Sequence, residues 1–261
     1  MNLRWIGAMG AAVSFLLLNG CSGMAASPQP TASLDGTAWV LAELPGRELM
    51  NPGNVTLQFA QGRASGSDGC NRFSGGFEAD ATSLQFLELA STQMACAPEL
   101  MAQAGAVTGA LGATRSYRVG DERLELLAAD GRRVAVYRAQ SSGLEDTAWD
   151  VTGINNGRGA VASLAADTQV TLAFDAEGRA SGSAGCNRFT AGYTRERDAL
   201  KFAAAATTRM LCPTPGVMEQ EQAFLQALQQ VATVRMEGDR IELRAADGAL
   251  MISARRAASA N

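Results

Sequence analysis

A twelve-residue block occurs twice in this chain, once from Gly62 to Phe73 and once from Gly178 to Phe189. Both read Gly-Arg-Ala-Ser-Gly-Ser-x-Gly-Cys-Asn-Arg-Phe, and they differ only at x, Asp68 in the first and Ala184 in the second. In each copy a second cysteine follows in a Met-x-Cys element at the same interval, Cys96 26 positions after Cys70 and Cys212 26 positions after Cys186. Flanking segments align in the same order: Thr-Ala-Trp at 37–39 and 147–149, Val-Thr-Leu-x-Phe at 55–59 and 170–174, Leu-x-Phe at 84–86 and 200–202. A duplication this close makes the chain a tandem array of one small domain. Residues 34–139 form the first copy and residues 144–256 the second. The joining segment is short, so the two domains should touch.

Most of each copy alternates apolar and polar residues with period two, as at 37–43, 55–59, 123–127 and 133–137, the signature of half-buried strands. Gly120-Asp121, Asp130-Gly131, Gly238-Asp239 and Asp247-Gly248 mark tight turns that close a C-terminal meander in each copy. One segment per copy has a helical period instead. Leu100, Ala104, Val107 and Leu111 form one stripe after Pro98, and Phe224, Leu225 and Leu228 share a face within 218–231, after Pro215. The fold class is α+β: two tandem small domains, each a curled, antiparallel, barrel-like sheet with one helix over an open side. The second copy carries extra residues at 153–162, rich in Gly and Asn, which read as a longer loop.

Residues 1–20 read as a targeting segment, with Arg4 ahead of an apolar stretch at 6–18 that is too short to span a bilayer. It ends in Leu18-Asn19-Gly20-Cys21, which resembles a bacterial lipobox, and makes Cys21 the expected lipidation site. The alternative is an ordinary secretory signal. Ser22 after the anchor favours an outer-membrane lipoprotein facing the periplasm, and residues 21–33, rich in Ala, Ser and Pro, read as its tether. Setting Cys21 aside leaves four cysteines, two per copy. An even count in an oxidising compartment favours disulfides, and the symmetry favours Cys70–Cys96 and Cys186–Cys212. Two reduced cysteines buried in each core are the alternative.

The chain has no histidine, which excludes Ser-His and Cys-His nucleophilic pairs and leaves a zinc site short of ligands; no metal or other cofactor is expected. Neither a nucleophile elbow nor a phosphate loop is present, since Gly66-Ser67-Asp68-Gly69 fits neither pattern and no lysine follows it. The net charge is −4 and no basic cluster is dense enough for nucleic acid. Asn71 and Asn187, each after a cysteine, are candidate ligand contacts, or else residues that tie their own turns. Arg72 and Arg188 are candidate contacts for an anionic partner, or else solvated arginines. Trp39 and Trp149 read as core.

Gly-Cys-Asn-Arg-Phe at 69–73 and 185–189, Ser/Thr-Thr-x-Met-x-Cys at 91–96 and 207–212, and the Thr-Ala-Trp opening resemble the META-domain family, which includes HslJ-like heat-shock lipoproteins. The resemblance covers both copies. It implies a compact β-rich domain with a helix, often exported, linked to envelope stress and antibiotic tolerance, with no established catalytic residues. The resulting expectation is a non-enzymatic lipoprotein that binds an envelope component, a protein or a lipid. The alternative is a pilotin-like carrier of a lipid or acyl chain for a secreted or outer-membrane partner.

Overall fold

The computed structural model describes residues 33–258, so the targeting segment, Cys21 and most of the tether lie outside the described residues. The first domain runs β1 (Thr37–Glu43), β2 (Val55–Ala60), β3 (Arg63–Asp68), β4 (Arg72–Ala79), β5 (Leu84–Ser91), α1 (Pro98–Ala113), β6 (Ser116–Gly120), β7 (Arg123–Leu127) and β8 (Arg133–Ala139). The second runs β9 (Thr147–Asn155), β10 (Val161–Ala162), β11 (Thr171–Phe174), β12 (Arg179–Ser183), β13 (Arg188–Glu196), β14 (Ala199–Phe202), β15 (Ala206–Thr207), α2 (Val217–Gln230), β16 (Thr233–Glu237), β17 (Arg240–Arg244) and β18 (Leu250–Arg256).

Each domain is an antiparallel barrel with one helix. In the first, the strand order is β5-β4-β3-β2-β1-β8-β7-β6. A single bridge between Ser83 and Ser116, with backbone bonds Leu84 N to Arg115 O and Tyr117 N to Thr82 O, joins the two ends of that order. In the second, β18 pairs with β9 and β14 touches β16 only through Ala199 and Thr233, so the seam falls at the same place. The chain leaves the sheet there to make the helix, which explains why the seam is narrow. Past Leu84, β5 has no strand neighbour on its second edge among the described residues.

Alternation along the strands fills each barrel from within. Trp39, Leu41, Leu57, Phe59, Leu124, Leu126 and Tyr137 occupy the first; Trp149, Leu172, Phe174, Leu200, Leu243 and Ile252 occupy the second. Phe59 meets Phe77 edge-on at 4.9 Å, and Phe174 meets Tyr193 edge-on at 5.1 Å, the same pair repeated. The opening Thr-Ala-Trp has a local reason as well. Trp39 Nε1 donates to Thr37 Oγ1 and Trp149 Nε1 to Thr147 Oγ1, so each buried indole finds its acceptor two residues away. Helix α1 starts at Pro98, where a missing N–H costs nothing, and lays Val107, Ala110 and Leu111 against the barrel. Helix α2 does the same with Phe224, Ala227 and Leu228.

One sequence expectation needs correction. The extra stretch at 153–162 is not simply a loop: β9 extends to Asn155, turns, and pairs with β10 through Asn155–Val161 and Ile154–Ala162.

Candidate functional site

The duplicated block ends β3 and β12 and begins β4 and β13, and the intervening turn is where each domain ties down the segment carrying its second cysteine. Both disulfides are formed, Cys70–Cys96 with Cα atoms 6.1 Å apart and Cys186–Cys212 at 6.0 Å. The asparagine after the first cysteine clasps the same segment. Asn71 Oδ1 accepts from Met94 N at 2.7 Å and Thr92 Oγ1 at 3.1 Å. Asn187 Oδ1 accepts from Met210 N at 2.8 Å and Thr208 Oγ1 at 2.7 Å. Gly-Cys-Asn and Thr-x-Met-x-Cys are therefore two halves of one covalent and hydrogen-bonded clasp.

The halves differ in where their carboxylate comes from. In the first domain Asp68 Oδ1 accepts from Cys70 N at 2.9 Å and Asn71 N at 2.6 Å. In the second, Ala184 has nothing to offer, and Glu221 reaches down from α2: Oε2 accepts from Asn187 N at 2.8 Å and Oε1 from Asn187 Nδ2 at 2.9 Å. The helices align through Gln103 and Gln220, each bonded to the loop before β2 or β11, so the helical residue facing the clasp is Ala104 in one domain and Glu221 in the other. A carboxylate has moved from strand to helix. Both are buried, Asp68 at 3% and Glu221 at 7% exposure.

This exchange shapes the surface. In the first domain a groove of about 580 Å³ runs between the end of β5 and α1, lined among others by Asp68, Asn71, Leu89, Ala104, Gly105 and Gly109. Over α2 the hollow is about 440 Å³ and is lined by helix residues alone, Glu221 among them, with no residue of the clasp.

The model of the META domain matches residues 32–141 and again 142–258. The chain belongs to the META-domain family. No curated protein matches it. Among solved structures, an NMR structure of a protein from Burkholderia xenovorans is 28% identical over 44% of this chain and 83% of that one, with a TM-score of 0.38. A second NMR structure is 21% identical over 42% of this chain and 90% of its own, with a TM-score of 0.34.

The two META domains use their arginines differently. Arg72 Nη2 donates to Glu237 Oε2 at 2.8 Å and Oε1 at 3.0 Å, across to the second META domain. Thr56 Oγ1 adds a bond to Glu237 Oε1 at 3.0 Å. The β16–β17 turn that presents Glu237 also gives Asp239 N to Gly53 O, and Gly238 N to Gln140 Oε1 in the linker. Arg72 is thus a domain-joining residue. Arg188 occupies the same place in the second META domain, exposed, with no ion pair among the described residues. Asn187 spends its whole amide inside the clasp, whereas Asn71 Nδ2 has no partner among the described residues.

Asp80 and Asp175 are held below the ordinary aspartate range chiefly by backbone N–H groups of Thr82 and Arg179, in surface turns. Burial pushes the Tyr117, Tyr137 and Tyr193 hydroxyls up. No group of three or more Cys, Asp or Glu able to hold a metal stands together among the described residues. Glu221 and the domain-joining role of the Glu237 turn escaped sequence reasoning. The signal for Glu221 was present: the single difference in the repeated block, Asp68 against Ala184, is answered by Ala104 against Glu221 in the helix.

Proposed function

We propose that this tandem META-domain protein is a non-enzymatic lipoprotein, anchored through Cys21 at the periplasmic face of the outer membrane, that supports the envelope under stress by binding another envelope component. The observation that carries this reading is the clasp: two disulfide-tied turns, built for an oxidising compartment, the first of which frames a groove beside its helix. Filled barrel interiors weigh against an acyl chain held inside the sheet, so the carrier alternative would have to use an outer groove. Deleting the gene should sensitise the host to heat, detergent or antibiotics, with rescue by the wild-type gene and not by a Cys21→Ala copy. Unchanged sensitivity in all three would count against the reading.

A further inference from the structure

The groove of the first META domain ends on two polar atoms that stay open to solvent. Asp68 Oδ1 is used by two backbone N–H groups, but Asp68 Oδ2 and Asn71 Nδ2 have no hydrogen-bond partner among the described residues. Asp68 is buried, and both residues line the groove. Neither atom is sealed from water, so each can exchange a water for a ligand's donor or acceptor. In the second domain Glu221 completes the site from within, taking the Asn187 amide with one oxygen and the Asn187 backbone with the other. The second domain thus carries a built-in occupant, and the first does not.

The rest of the groove narrows the ligand class. One acceptor beside one donor matches the N–H and C=O of a single residue in an extended chain, which point to the same side. The Asp68 charge, with no cation paired to it among the described residues, disfavours a carboxylate or phosphate ligand. Along α1 the wall is backbone: Gly105 and Gly109 have open space where a Cβ would stand, in positions that α2 fills with Gln222 and Gln226. The opposite wall is the end of β5, whose second edge has no strand neighbour there among the described residues. Leu89 and Met101 supply apolar contact, Met101 at 50% exposure.

We infer that the β5–α1 groove of the first META domain binds an extended, acid-free peptide segment, one residue of which donates its N–H to Asp68 Oδ2 and accepts from Asn71 Nδ2. The second domain, closed by Glu221, does not bind it. This deepens the binding reading above by naming the site and the partner chemistry; it concerns purified protein only, so it can fail while the envelope role stands, and the reverse.

The test is a chemical-shift titration of the full two-domain chain with N-acetyl tetra-alanine amide as the probe. The expected result is saturable shifts at Asp68, Asn71, Leu89 and Gly105, with none at Asn187. Two closures should each weaken binding by about tenfold or more. One is Asp68→Ala with Ala104→Glu, which copies the second domain. The other is Gly109→Gln, at an open helical surface site where folding is not at risk. A decanoate probe run in parallel separates an acyl site from a peptide site. No saturable shifts with the peptide, shifts that survive both closures, or groove shifts with decanoate alone would each overturn the inference.

Discussion

Asp68 and Glu221 do one task from opposite sides of the fold: each accepts the backbone N–H of the asparagine after the first cysteine, Asn71 at 2.6 Å and Asn187 at 2.8 Å. One is at the end of a strand, the other on a helix, and each domain has alanine where the other has its acid. Such an exchange is stable only if it is complete. Losing both acids strands a buried donor, and keeping both crowds like charges into one buried site.

Glu221→Ala should therefore destabilise the second domain by about 2 to 3 kcal/mol, since a buried, charge-assisted bond pair is lost. Adding Ala184→Asp to that variant should recover most of the loss, because Asp68 shows that the turn accepts this side chain. Urea denaturation of the wild type, both single variants and the double variant closes the cycle. Additive effects would mean that the two positions do not share the task.

Gly238 sets the contact between domains. Its φ is +62°, and a Cβ there would lie 1.9 Å from the Gly53 carbonyl oxygen. Gly238→Ala should displace the β16–β17 turn, break Arg72–Glu237, and let the domains reorient while each barrel stays folded. Residual dipolar couplings should then need two alignment tensors where the wild type needs one. A single shared tensor in the variant would show that the linker alone fixes the arrangement.

The two disulfides close loops of equal length, the partners standing 26 positions apart in each. Cys96→Ser and Cys212→Ser should each cost about 3.5 kcal/mol on the chain-entropy account. The effect should be similar in both domains, because the loops are equal in length and Asn71 Oδ1 and Asn187 Oδ1 each accept the same two bonds from the segment once the sulfur link is gone. Thermal unfolding followed by calorimetry reads this directly. A large asymmetry would show that one clasp is held mainly by its carboxylate.

Much of this architecture was legible in the chain. The repeated block gave the domain count, period-two alternation gave the strands, and the matched intervals gave the cysteine pairs. These features are local or periodic, and local physics fixes them. Strand β10 was not legible, because two residues after a Gly- and Asn-rich turn have no pattern of their own; they pair only because β9 runs on to Asn155. Glu221 was hidden for another reason. Within Glu-Gln-Glu-Gln an acid reads as a solvated helix former, and only the position of a turn 34 residues earlier makes it buried. The same holds for Gly238, which as sequence is a hairpin turn and as structure is a docking surface.

Asp175 offers a test of what holds a surface turn. Its carboxylate accepts from the backbone N–H of Arg179 at 2.8 Å and of Glu177 at 3.0 Å, and pairs with the Arg179 side chain at 2.8 Å. The backbone bond to Arg179 is the largest cause of its lowered pKa, ahead of the guanidinium. A carboxylate depressed in the folded state adds stability above its unfolded pKa, and that stability is lost as pH falls through the folded value. The window therefore lies below the ordinary aspartate range of about 3.9. In a carbon-detected titration Asp175 should stay depressed in Arg179→Ala, because the backbone N–H survives the substitution. Asp175→Asn should flatten the acid limb of the stability curve. Should Arg179→Ala instead return Asp175 to the ordinary range, the ion pair and not the turn would be the main restraint.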